Sequence, residues 1–568
     1  MLTALKIKEM KLKNISKIGL MTGLISLLSA CDLTDLDINQ DPNSPTVASA
    51  KLLLPTAEIA VVNSSTAITQ NAHGFVGLLS SADNYDLNNQ TYNGTWNGFY
   101  RNMSNVEAII NASANSPHYL GVAQALKAFA TGNFVDTFGD CPYSEAWKGN
   151  SGTPVTTPKF DKDSDIYEAL IKLCDESVAN LSKSTADPLA ASADFIYGGS
   201  TVKWIKFAKS VKIRLLLNSR KGRASGNTDL NAALAAGGYI TSSADDFTYN
   251  YSTASSPEGR HPWFQQAYLA DNGFAYPSHQ LMEEMIFNKD PRLDFYFYRQ
   301  TAVTLDPSNP TDRGTIPFGG TYLVLKPSFL AKWTTVFGAA PTVADKAYIA
   351  GFFGRDRGDN TGVPQDGALR TAPGCYPAGG LYGGRSITPR ALTGGRGSGN
   401  GIFPLLTSNN LKYYQIEAIL DGGGTGNAKA IFESAIREHI ARVVALGQKV
   451  DPNNAVAPSA TVISDYVNAQ LKLYDAAPSN SAKLNVVMKQ QWFSSWGQGQ
   501  EAWNTLRRTG YPSTINNPII KPARQVALRL PYPSQEGSLN PNATSKLTEV
   551  VFDRDPIFWD KVKVKWEF

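Results

Sequence analysis

The chain has 568 residues, of which 42% are hydrophobic and 18% charged, with 53 basic and 49 acidic side chains. That apolar content can fill a large core, and length alone allows roughly two to four domains. The basic surplus sits at the head: without residues 1–30 the remainder carries 48 charges of each sign, and a neutral remainder argues against nucleic acid or another polyanion as partner.

Lys6, Lys8, Lys11, Lys13 and Lys17 precede an apolar run from Ile18 to Leu28. A basic start, a short greasy stretch and small residues at its end make the layout of a secretory signal over residues 1–30; Met10-Lys11-Leu12-Lys13 would serve equally well as its start. The run falls short of the roughly 20 apolar residues of a spanning helix. Its last residues, Leu28-Ser29-Ala30-Cys31, resemble a bacterial lipobox, which predicts lipidation of Cys31. A diacylglycerol plus an N-acyl chain, at ~0.8 kcal/mol per buried methylene, anchors a protein stably without spanning the membrane. The alternative is an ordinary secretory signal with an incidental cysteine. Residues 31–50, acidic at Asp32, Asp35 and Asp37 and without periodicity, read as a lipidated tether. Cys141, Cys174 and Cys375 remain. An odd number without C-x-x-C spacing argues against a zinc knuckle or a disulfide framework, so buried thiols are expected, with a single bridge open to an oxidising compartment.

From residue 51 to 568 one mainly α domain is expected. In "HYLGVAQALKAFATGNFVDTFGD", Val122, Leu126 and Phe129 fall on one helical face among small residues that admit a close neighbour. "DSDIYEALIKLCDESVANL" and "TVKWIKFAKSVKIRLLLNSRKG" repeat the pattern. A second helical block runs through "NLKYYQIEAIL", "NAKAIFESAIREHIARVVALG" and "ATVISDYVNAQLKLYD". It closes on "SAKLNVVMKQQWFSSWGQGQEAWNTLRRTGYP", where Trp492, Trp496 and Trp503 share a helical face and Gly510 is a stop. Antiparallel pairs of this length suggest a tetratricopeptide-like scaffold, although no strict period of about 34 residues is visible. Residues 300–405 differ: Gly and Pro crowd them, helices beyond two turns are not expected, and long irregular loops covering one face of the scaffold are.

Catalytic patterns are missing. The five histidines do not form H-E-x-x-H, no serine stands in G-x-S-x-G, and "GGRGSGNG" does not match G-x-G-x-x-G. Glu283-Glu284 and Asp245-Asp246 read as solvated neighbours rather than as two carboxyls facing across a cleft. The Asp356–Asp359 stretch breaks the EF-hand pattern at Gly358, so no metal and no cofactor is expected.

Non-catalytic sugar binding needs an aromatic face for C–H groups and amides or carboxylates for hydroxyls. "SSADNYDLNNQTYNGTWNGFYRN" offers Tyr85 and Asn88; "RHPWFQQAYLADNGFAYPSHQ" offers Trp263, Tyr268 and Asn272; Tyr376 and Tyr382 stand in the central loops. Tyr85 and Trp263, in polar non-periodic surroundings, are the foremost candidates. Trp96 and Tyr100, four apart before "NVEAII", read as core.

Several stretches resemble the SusD/RagB family of Bacteroidetes outer-membrane lipoproteins: "NFVDTFGDCPYSEAW", "PKFDKDSDIYEALIKLCDES", "WIKFAKSVKIRLLLNSR", "GRDRGDNTGVPQDG" and "EAWNTLRRTGYP", in family order with the lipobox before them. The resemblance implies a tetratricopeptide-like fold and nutrient capture at the cell surface. It also implies a lid-like association with a SusC-like TonB-dependent transporter. The ligand it implies is usually a glycan, with an oligopeptide in some members. Asp32, Asp35 and Asp37 resemble that phylum's export signal to the outer face of the outer membrane. A lipid-anchored hydrolase of polysaccharide or peptide stays open as a different class.

Overall fold

A computed structural model describes residues 48–80, 91–149, 152–269, 275–299, 321–322, 327–342, 345, 349, 351–357, 371–384, 397–518 and 527–564. Tyr85, Asn88, Asn272, Cys31 and the Gly358–Asp359 pair lie outside the described residues. The expected helical scaffold is found. Helices α1 (Ala50–Phe75), α2 (Asn93–Ala112), α3 (Pro117–Phe138), α4 (Asp163–Leu181) and α5 (Thr201–Ser219) pack as successive neighbours, followed by α6 (Gly226–Ala236). After α7 (His279–Phe287) and α8 (Pro327–Phe337), a second layer holds α9 (Ser408–Asp421), α10 (Ala428–Val450), α11 (Ala460–Ala476), α12 (Asn480–Ser494) and α13 (Gly499–Thr509).

The sequence explains the boundaries. Ser200 caps α5 by accepting from Lys203 N, and Thr407 with Asn410 forms a reciprocal capping box on α9. Gly510 ends α13 in a left-handed conformation, φ 78°, its N–H donating to Leu506 O at 2.8 Å. Val122, Leu126 and Phe129 are buried as expected, but so is almost every other residue of α3, which lies against α1, α2, α4 and α5. Gly121 permits the tightest of these approaches: a Cβ there would stand 2.6 Å from Leu181 and 2.9 Å from Ser177 O. α1 is long and apolar enough to cross a membrane. It is nevertheless a core helix, burying Glu58 and His73 along with its apolar side chains.

Three further expectations are corrected. α8 has three turns inside the region expected to lack them, with Phe329 and Trp333 buried against Phe287. The tryptophan-rich tail is two helices separated at Ser495–Gln498, although Trp492, Trp496 and Trp503 are each buried. Asp246 and Glu284 are not solvated pairs with their sequence neighbours; they are ion-paired with Arg442 and Lys489. Cys141, Cys174 and Cys375 are free, buried thiols.

Between the layers lies a buried ionic network. Glu417 of α9 accepts a bidentate pair from Arg508, both at 2.8 Å, and a third bond from Arg220 at 3.1 Å. Arg508 also donates to Asn218 Oδ1 at 2.6 Å. Arg214 joins Glu501 to Asp136, whose carboxylate further accepts from Asn504 at 2.7 Å and from Trp559 Nε1 at 3.0 Å. Arg507 lies over the Trp503 ring at 3.7 Å and donates to Leu528 O. The Arg-Arg of the closing motif is therefore structural: both guanidiniums are buried where α13 meets the first layer.

Candidate ligand-binding face

Among the described residues four two-stranded ladders pack on the helical layers, and three of them are made of two-residue strands. β1 (Leu79–Ser80) pairs antiparallel with β3 (Tyr276–Pro277), Ser80 opposite Tyr276. β2 (Phe247–Asn250) pairs with β8 (Ile402–Leu406), a strand in the region expected to be irregular. β4 (Phe297–Tyr298) pairs with β7 (Ala372–Pro373), and β5 (Thr321–Tyr322) with β6 (Phe353–Gly354).

Side chains and backbone bind the short ladders together. Ser278 bridges to Arg355, Ser80 Oγ donates to Asp356 O at 3.0 Å, and Thr371 N donates to Phe353 O at 3.0 Å. Arg355, fully buried, places its guanidinium 4.4 Å from the Tyr276 ring centre, an arrangement that replaces hydration by cation–π attraction.

The pairing has a topological result. Residues distant in sequence meet as direct partners, Ser80 with Tyr276, Tyr298 with Ala372 and Thr321 with Gly354.

Trp263 and Tyr268 stand elsewhere, and their assignment as exposed ligand residues is corrected. Trp263 is 4% exposed; its ring meets His73 edge-on at 5.2 Å and Trp496 at 5.0 Å. The recess it borders with Thr66, Gln70 and Tyr251 has a volume of about 20 Å³, space for a water but not a sugar ring. Tyr268, also 4% exposed, stacks on Phe264 at 4.9 Å. Its hydroxyl donates to Pro373 O at 2.8 Å and accepts from Leu381 N at 3.1 Å. Tyr268 therefore pins β7 in place and supports the ladders from beneath.

The physical reason is local. Gln265–Leu269 is a π-helical turn, whose wider winding breaks the 3.6-residue period. Buried aromatics there look non-periodic in sequence although they face the core. Tyr376 is likewise buried, while Trp96 is core as expected, its Nε1 donating to Glu536 at 3.2 Å.

His73 and His261 are held neutral near pH 7. His73 is pushed down to about 4 by burial, against the opposing pull of the Thr69 carbonyl, and His261 to about 3 by burial. His73 Nδ1–H donates to Thr69 O at 2.7 Å while Nε2 accepts from Gly497 N at 3.1 Å, which fixes the neutral tautomer. Among the described residues no three His, Cys, Asp or Glu side chains are grouped to hold a metal ion.

Sequence reasoning missed Arg355, Ser80 and the ladder itself, because strands of two residues leave no alternation to read. The paired positions are too few and too far apart in sequence to signal one another.

Comparison with known proteins fits this architecture. A family model described as "Starch-binding associating with outer membrane" matches residues 42–317, and one described as "Susd and RagB outer membrane lipoprotein" matches 401–560. No curated protein gives a significant match. Among solved structures, a SusD/RagB family protein from Bacteroides thetaiotaomicron is similar at a TM-score of 0.65 and 17% identity, over 90% of this chain and 99% of that one. A SusD homolog from Bacteroides fragilis gives 0.62 at 18% identity, again over 90% and 99%. A chitin-binding SusD homolog from Flavobacterium johnsoniae gives 0.61 at 18%, with the same coverage. Helical layers, tail motif and both family matches agree: the chain belongs to the SusD/RagB family.

Proposed function

We propose that the protein is a non-catalytic, cell-surface lipoprotein that captures oligosaccharide and passes it to a SusC-like TonB-dependent transporter, for which it acts as a lid. The observation that carries this reading is the pair of family matches, over residues 42–317 and 401–560, on a helical scaffold shared with SusD homologs. Tyr85, Asn88 and Asn272 are its proposed contacts, chosen from the polar, aromatic stretches of sequence in which they stand. Starch and chitin are neutral glycans, and they are what the matching family description and similar structures name. A mature chain with equal charges of each sign suits them better than a polyanion.

Calorimetry with neutral oligosaccharides tests the site. Tyr85→Ala should weaken binding by on the order of 1 kcal/mol, the worth of one lost aromatic contact, with the melting temperature unchanged. Unaltered affinity in a folded variant removes Tyr85 from the site. Release of new reducing ends from the same glycans would instead make the protein a hydrolase. Isolation in mild detergent should yield a one-to-one complex with a large barrel; recovery as a lone lipoprotein would count against the lid.

The anchor is tested by fractionation. Cys31→Ala, expressed without the transporter, should move from the membrane pellet to the soluble fraction. α1, the one helix of spanning length and apolarity among the described residues, is already occupied by its contacts with α2, α3 and α13. A variant that still pellets refutes lipidation at Cys31.

A further inference from the structure

A larger concavity lies where the chain's last helical turns meet the first layer. It is an open cleft of about 350 Å³, lined by Thr91, Pro531, Pro533, Ser534, Thr548 and Phe552 with their apolar neighbours. Among the described residues no charged side chain lines it, so an anionic ligand would find no counter-charge from them.

The floor is rigid. The Tyr532 ring meets Trp96 edge-on at 5.8 Å and Phe160 at 5.7 Å, and its hydroxyl donates to Asp140 O at 2.8 Å. Phe552 O accepts from Leu528 N at 3.0 Å and from Arg529 N at 3.3 Å, while Leu530 N donates to Thr137 O at 2.7 Å. These bonds fix the walls before any ligand arrives, which lowers the ordering cost of binding.

We propose that this cleft is a glycan subsite that takes one or two uncharged sugar rings. Its volume falls in the range of about 300–1,000 Å³ typical of small-ligand sites. Pro531 and Phe552, both half-buried, present apolar surface to the C–H face of a sugar. Thr91, Ser534 and Thr548 are exposed at the rim; the first two present hydroxyls that can donate and accept, while Thr548, donating to Ser545 O at 3.2 Å, offers an acceptor. A peptide suits the cleft less well. Its main chain needs free backbone donors, whereas the prolines have none and the N–H groups of Leu528, Arg529 and Leu530 are already bonded. The inference rests on the glycan reading of the family fold and adds a place for the ligand.

Calorimetry with N-acetylchitohexaose and maltohexaose separates the two claims. Thr548→Trp and Ser534→Tyr fill the mouth from exposed positions and should leave the melting temperature unchanged. At least one of the two probes should bind wild type, with affinity reduced about tenfold or more in both variants. Binding to wild type that the variants leave unaltered overturns the cleft and spares the glycan reading. No binding of either probe to wild type overturns the cleft as a subsite for these neutral glycans, and Tyr85→Ala with other oligosaccharides then decides the broader reading on its own.

Discussion

Glu417→Ala is expected to destabilise the fold by about 3–5 kcal/mol, because it leaves the buried Arg508 guanidinium without its carboxylate and Arg220 with Asp421 alone. Arg508 and Arg220 converge on that one side chain in a space closed to water, so solvent cannot replace it. Urea denaturation measures the loss. Glu433→Ala, which removes an exposed pair with Arg437, serves as the control at roughly 0.5 kcal/mol or less. A Glu417 effect as small as the control's would mean that water reaches the network. The pH dependence follows from the same geometry. Burial alone would raise the Glu417 carboxyl, but Arg508 and then Arg220 hold it below the usual carboxylate value. A depressed folded-state value gives stability that is fully present above the unfolded carboxylate range and lost as pH falls through the folded one. The wild type should therefore weaken on acidification more steeply than Glu417→Ala.

Trp263→Ala is the second large effect, about 3–5 kcal/mol as for other tryptophans cut from a core. The ring is one wall of a cluster with His73, His261 and Trp496, and α1, the Pro262–Phe264 turn and the stretch after α12 all meet on it. The melting temperature should fall sharply while glycan affinity of the folded fraction holds. Affinity lost at an unchanged melting temperature would place the ring in the ligand site instead.

These two residues show where sequence reading succeeds and where it stops. The helices over 117–138, 163–181, 201–219 and 428–450 were legible because long amphipathic periods and their caps are local properties. The break at Ser495–Gln498 was not, since Trp492, Trp496 within it and Trp503 beyond it keep helical spacing and are all buried. α8 was hidden by its Gly- and Pro-rich flanks. Asp246 and Glu284 looked solvated because their partners, Arg442 and Lys489, are some 200 residues away. For the candidate site, the polar clusters around Tyr85 and Asn272 could be picked out by composition, whereas the neighbouring ladder of Ser80 and Tyr276 depends on a two-residue pairing with no alternation to read. Trp263 and Tyr268 were misplaced because a π-helical turn erases the period by which buried faces are recognised.

The ionic network also constrains the order in which the molecule can be made. Arg214 and Glu501 are separated by 287 positions, Asn218 and Arg508 by 290, Asp136 and Asn504 by 368. A ribosome working from the first residue completes α3 and α5 long before their partners on α13 exist. Until then Asp136 and Arg214 lack much of what satisfies them, and burying them would carry the penalty of incompletely paired charge. The early helices are thereby kept from closing on themselves, and the final packing waits for the tail. A chain that stays open until its end is made is one that a narrow secretion channel can thread.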